Sequence, residues 1–228
     1  MCEKLLMKNL FLVFILLHTI SNAKAQIDDS AAVIRKLDME VRSGKKSIQD
    51  ILAADYLMPL HPQKPFRDLV KEFGRSSEMT LNSPTEQGKK IKVVAIVRNQ
   101  SNRPVRDAQV YCYQTDSRGW YGSQAPHFPG MEGDRRQARI FGYLRTDDKG
   151  KFILHTIQPH GYPGSNLPAH IHVEITAENY HTIITEFLFD DDKRLTPDIR
   201  ERSQREGFLV SKASSGNIYQ YAVILQLR

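Results

Sequence analysis

From Ile91 onward the chain is cut into short segments of alternating polarity, and this constrains the fold more than anything else in it. Ile91–Arg98, Gln109–Gln114, Ile140–Arg145, Lys151–Thr156, Ala169–Thr176, Thr182–Phe189 and Ile218–Leu227 each read as a strand. Turn chemistry separates them, as in Asn99-Gln100-Ser101-Asn102-Arg103-Pro104 and Asp147-Asp148-Lys149-Gly150. Short strands in this number, with no helices read between them, predict a mainly β fold, an antiparallel β-sandwich. Before them the period is helical. Ser30 is placed to cap a helix carrying Val33, Ile34, Leu37 and Val41, with Gly44 as its stop. A second helix is expected from Ser47 and a third over Pro65–Phe73, together an N-terminal helical arm over residues 26–80. The β domain is then 81–228.

Residues 1–25 are a separate segment. Lys4 and Lys8 precede the apolar run Leu10–Leu17, and Ala23-Lys24-Ala25 follows with small residues at a cleavage spacing. The pattern is that of a signal peptide, too short to span a bilayer comfortably, with cleavage before Gln26. The expectation is an exported protein, periplasmic or extracellular, with no stable membrane insertion after processing. Its removal takes three lysines and one glutamate, so the charge falls from +6 to +4. That surplus, without a basic stripe interleaved with aromatics, argues against a nucleic-acid partner. Only Cys112 remains, so no internal disulfide can form, and between Tyr111 and Tyr113 it reads as a buried, inert thiol. The helices leave two uses open, a homo-oligomer surface or a cover for one sheet.

Within Ala169–Thr176, His170 and His172 are two residues apart and share one face, roughly 7 Å apart at Cα, while Ile171 and Val173 take the other. Two imidazoles so placed can grip a transition metal, although a plain polar sheet face gives the same pattern. Tyr121 follows one strand within Asp116-Ser117-Arg118-Gly119-Trp120-Tyr121-Gly122, and Tyr162 sits in the turn before the histidine strand. Singly, each tyrosine reads as a packing or turn residue. The polar, Gly-rich link from Thr115 to Arg139 has the length of a functional loop.

Together these segments resemble the intradiol ring-cleavage dioxygenases, the catechol and protocatechuate dioxygenases that use non-haem ferric iron. The resemblance is carried by Asn102–Ala108, by Tyr113-Gln114-Thr115-Asp116 leading to Gly119-Trp120-Tyr121, and by Thr146–Gly150. It continues in His155–Pro159 with Tyr162, in Pro168-Ala169-His170-Ile171-His172, and in Thr185–Phe189. The first and third motifs occur in other sandwich families too, and the Pro-Ala-His-Ile-His string with both tyrosines is the specific part. The resemblance implies Tyr121, Tyr162, His170 and His172 as ligands of Fe(III), with a small aromatic diol and O2 as substrates. It also implies that one tyrosine, expected to be Tyr162, leaves the metal and acts as general base.

Phenolate suits this role. Tyr ionises near pH 10 in solution, and direct coordination of a hard cation is what ionises it at neutral pH. Two positions depart from the family. The family places Arg three residues before the first histidine, where this chain has Leu167, so Arg139, Arg145, Arg135 or Arg136 is expected to supply the cation. Glu186 stands where the family often has Gln. These departures motivate the alternative of a non-catalytic, secreted β-sandwich binding a catechol-like ligand or a partner. A cupin-like metal enzyme shares the His-x-His string but needs a further Glu, His and Gly pattern that this chain lacks. His127, His160 and His181 are expected to face solvent.

Overall fold

In a computed structural model of the chain, residues 29–212 and 216–228 are described. The expected signal segment lies outside them. The molecule divides into two compact units, residues up to Lys46 and Ser47–Arg228. The second and third helices belong to the body that holds the strands.

Helix α1 occupies residues 29–42. It buries Ile34, Leu37 and Val41, the helical stripe read from sequence. Ser30 is already helical and does not cap it. The end is as expected: Gly44 takes φ +72°, and the amides of Gly44 and Lys45 return to the carbonyls of Val41 and Glu40. Among the described residues no helix is long and apolar enough to cross a membrane.

In the second unit, α2 (Ile48–Ala53) starts with a capping box in which Ser47 and Asp50 satisfy each other's backbone amides. A 3-10 helix follows over Asp55–Leu60, and then α3 (Lys64–Phe73), which opens on Pro65 and buries Phe66, Leu69 and Val70. The strands are β1 (Glu78–Thr80), β2 (Lys90–Asn99), β3 (Gln109–Gln114), β4 (Ile140–Arg145) and β5 (Lys151–Ile157). They continue with β6 (His170–Thr176), β7 (Ile183–Leu188), β8 (Leu209–Val210) and β9 (Ile218–Leu225). Two short helices lie in the links between strands, α4 (Gly133–Gln137) within the stretch read as a long loop and α5 (Pro197–Arg205) between β7 and β8.

The strands form two sheets, ordered β1-β5-β2-β9 and β4-β3-β6-β7-β8. Both are mixed, which corrects the purely antiparallel expectation. β1 runs parallel to β5, β9 to β2 and β8 to β7. Hairpin neighbours must be antiparallel, but a strand arriving after a long excursion has no such constraint. The core takes Val93, Ala95 and Val97 from β2, and Ile171, Val173 and Ile175 from β6. Phe187 of β7 stacks on Tyr221 of β9 at 4.1 Å between ring centroids, so residues of the two sheets meet there. Cys112 is fully buried and its thiol is pushed well above its ordinary value by burial, as an inert residue should be.

Candidate metal centre

The inward residues of β6 are core aliphatics, so the alternation turns His170 and His172 to the outer face of the second sheet. There His172 pairs across to Tyr113 of β3 on one side and Glu186 of β7 on the other. The Tyr113 ring stacks flat on His172, 4.5 Å between centroids and 13° between planes. This fixes the plane of the imidazole.

The tyrosines come from two loops that clasp each other. Asp116 Oδ1 accepts from the amides of Arg118 and Trp120, closing the turn that aims Tyr121. Gly119 sits in that turn at φ +85°, where a Cβ would collide with the carbonyl oxygen of Gly161, next to Tyr162. The Thr115 hydroxyl donates to the His160 carbonyl at 2.7 Å, and the His160 amide to the Asp116 carbonyl at 3.1 Å. The Arg139 amide holds the Tyr121 carbonyl at 3.0 Å.

The result is a tight cluster of four donors. Tyr121 Oη lies 2.7 Å from Tyr162 Oη and 2.8 Å from His172 Nε2. Tyr162 Oη lies 3.0 Å from His170 Nε2 and 3.3 Å from His172 Nε2, and the two Nε2 atoms are 3.2 Å apart. The edges among Tyr162, His170 and His172 are within a few tenths of an ångström of the roughly 3.3 Å that four donors around one first-row ion need, and the two printed for Tyr121 are about half an ångström shorter. The far nitrogens are occupied: His170 Nδ1 donates to the Pro168 carbonyl at 2.9 Å, and His172 Nδ1 faces Glu186 Oε1 at 3.5 Å. With their protons on Nδ1, both rings aim an Nε2 lone pair at the centre. The donor set fits a hard cation.

The electrostatics agree. Burial, reinforced by His170, depresses His172 to about 3, so the ring is neutral and available as a ligand. Burial, opposed by the hydrogen bond with Tyr121, pushes the Tyr162 phenol up to about 12, and burial with the Tyr162 phenol beside it raises Tyr121 far higher. Phenols in such a site ionise only when a cation takes the place of the proton. Burial also raises Glu186 above the ordinary carboxylate range.

A family model described as "Dioxygenase" matches residues 71–220, more than half of the chain. The chain belongs to the intradiol ring-cleaving dioxygenases. It is 28% identical over 106 residues to catechol 1,2-dioxygenase of Candida albicans, covering 40% of this chain and 33% of the relative. It is 30% identical over 128 residues to 6-chlorohydroxyquinol 1,2-dioxygenase of Cupriavidus pinatubonensis, covering 49% and 44%. The chain thus spans less than half the length of these curated relatives. The solved structure of hydroxyquinol 1,2-dioxygenase from Pseudomonas putida superposes with a TM-score of 0.51 at 20% identity, covering 68% of this chain and 61% of that one. That likeness concerns the fold.

The other expected site residues are placed elsewhere. Arg139 is buried, and its guanidinium is bound to both oxygens of Glu86 and, at 2.9 Å, to Asp116 Oδ2. It braces the loop behind Tyr121 rather than facing the four donors. Arg145 pairs with Gln109, at the opposite end of β3 from the Tyr113–His172 row, and donates to the Asp107 carbonyl at 2.9 Å. Arg135 is bound to Glu174 and Arg136 to Glu132. The guanidinium beside the Tyr162 turn is Arg194, which packs against Gly161 together with the Leu167 carbonyl. Glu186, which stands where the family often has Gln, faces the back of His172. His127 is exposed as expected, yet its ring lies 4.8 Å from that of Tyr162 and its Nδ1 is 2.8 Å from Asp134. No spacing rule marks Arg194 or His127, because their neighbours are distant in sequence.

Proposed function

We propose that this protein is a non-haem Fe(III)-dependent intradiol dioxygenase, cleaving a catecholic ring between its two hydroxylated carbons with incorporation of O2. The observation that carries the reading is the convergence of Tyr121, Tyr162, His170 and His172 on one point. The relatives' names, catechol 1,2-dioxygenase among them, support the reaction class. Held by Tyr121, Tyr162, His170 and His172, ferric iron would supply an electron-poor centre able to activate an aromatic diol.

The protein's own groups do the rest. Tyr121, 1% exposed and held by its turn, is the fixed phenolate donor. Tyr162 is more open and would be the displaceable ligand and general base, its Oη placed to accept a proton from a substrate hydroxyl. Glu186 and the Pro168 carbonyl keep the proton of each imidazole on Nδ1 and its lone pair inward. Tyr113, flat on His172, excludes water from that side. With Leu167 uncharged, Arg194 supplies positive charge beside the Tyr162 turn.

Iron-replete purified protein is expected to be red-brown from tyrosinate-to-iron charge transfer and to consume O2 with a catechol. Tyr121→Phe should lose the colour and most of the metal. A colourless, zinc-bearing wild type would count against iron. A coloured protein that consumes no O2 with any catechol would favour the second reading, a binder of catechol-like ligands, which the displacement of Arg139 and Arg145 from the centre supports.

The same proposal covers the finer architecture and the setting. The cross-sheet stacking of Phe187 on Tyr221 supports a β-sandwich, and the N-terminal helical arm leaves open two uses, a homo-oligomer surface or a cover for one sheet. The charge and hydropathy pattern of residues 1–25 supports export to the periplasm or exterior, without stable membrane insertion.

A further inference from the structure

A cavity of about 520 Å³ opens on the same outer sheet face beside α3 and α4. It is of a size for one small molecule. Its walls include the rings of Tyr111 and Tyr143, stacked 4.6 Å apart, and the side chains of Arg67, Lys71, Arg135 and Arg136. The cations differ in how they are balanced. Arg135 and Arg136 have carboxylate partners in Glu174 and Glu132. Arg67 has none among the described residues.

Arg67 is only 7% exposed, and its Nη groups donate to the carbonyls of Ala138 and Arg135 and to the Tyr111 hydroxyl. Its charge lies over the Phe141 ring at 3.8 Å, and the carboxylate in the cavity's lining, Asp68, is paired with Lys64 at 2.6 Å. A buried cation bound only to neutral acceptors keeps most of its desolvation cost and projects its field into the adjoining space. Lys71, exposed at the rim, places its ammonium 5.9 Å from the Tyr143 centroid and has no ion-pair partner among the described residues. A flat aromatic wall beside two uncompensated cations selects for a flat anion.

We infer that this cavity binds a small organic carboxylate whose aromatic or unsaturated body lies along Tyr143 while its carboxylate meets Lys71 and the field of Arg67. The site shares none of its lining with the four-donor centre, so it stands whether or not the ring-cleavage reading holds.

The test is calorimetric titration of the full, metal-loaded protein with benzoate, with neutral benzamide and with inorganic phosphate, while the visible spectrum is followed. Benzoate is expected to bind saturably, at least tenfold more tightly than benzamide or phosphate, without altering the spectrum. Lys71→Glu, a change at an exposed position away from the centre, should weaken benzoate about tenfold and leave the spectrum unchanged. Arg136→Glu is a second rim variant, and either avoids the folding risk of replacing Arg67. Equal binding of benzamide or phosphate, or undiminished binding to both rim variants, would overturn the proposal. So would benzoate binding that shifts the visible band, because the anion would then be at the metal. A colourless protein would defeat the iron reading but leave the calorimetric comparison intact.

Discussion

The phenol oxygen of Tyr121 and Nε2 of His172 lie 2.8 Å apart although 51 residues separate them in the chain. One comes from a loop and the other from the middle of a sheet, so their meeting depends on whatever fixes the loop and whatever fixes the ring. Each support can be removed separately.

Glu186 fixes the ring. It faces His172 Nδ1 from the neighbouring strand, so Glu186→Ala is expected to weaken metal binding about 10–100-fold, the usual cost of losing such an outer partner. Competition with a graded chelator measures it. Unchanged affinity would mean that the stacking of Tyr113 alone holds the imidazole.

Gly119 fixes the loop. At φ +85° and against the Gly161 carbonyl, it has no room for a methyl group. Gly119→Ala should cost ~1–3 kcal/mol of stability through backbone strain and should prise the two tyrosine loops apart. Urea unfolding and metal content should fall together; a variant with normal values for both would show that the loops tolerate separation.

Arg139 braces the loop from behind. Its removal leaves Glu86 as a buried carboxylate without its cation and Asp116 with Arg118 alone, and breaking such a buried pair costs about 3–5 kcal/mol. Arg139→Met is therefore expected to lower the urea midpoint far more than Arg145→Met, whose partner Asp107 is exposed. Similar midpoints for the two variants would contradict the structural role.

His61 gives the fold a dependence on acid. Burial depresses it from 6.5 to about 4, against a raising contribution from its bond to the Arg139 carbonyl. Between those values the unfolded chain binds a proton that the folded protein refuses, so stability is full above about pH 6.5 and declines as pH falls toward 4. The linked loss reaches roughly 3 kcal/mol. Comparing urea midpoints from pH 7 to 4.5 in wild type and His61→Gln isolates this contribution; parallel curves would refute it.

What could be read in the sequence was local. The limits of β3 and β4 follow from alternation and flanking turns, and they coincide with the segments read in advance. Both histidines face outward because Ile171 and Val173 claim the core. The convergence of Tyr121 and Tyr162 on them was legible only through family resemblance, since no spacing rule relates two loops to a strand. β1 and β8, three and two residues long, are too short to show any period. The helix α5 was legible in principle: Thr196 accepts from the Ile199 amide and Pro197 opens the helix, a capping signal hidden within a highly charged stretch. The destination of Arg139 could not be read, because Glu86 and Asp116 reach it from distant positions.

The parallel pairing of β9 with β2 sets an order of assembly. Lys92 is matched with Ile218 and Asn99 with Leu225, so the first long strand waits for the last one before its sheet is complete. All four donors lie upstream of that closing strand, between Tyr121 and His172. During synthesis the ligand-bearing half can emerge from the ribosome while its partner sheet still lacks an edge. Closure over so long a stretch of chain is slow, and until it happens β2 is left as an open template for the wrong neighbour.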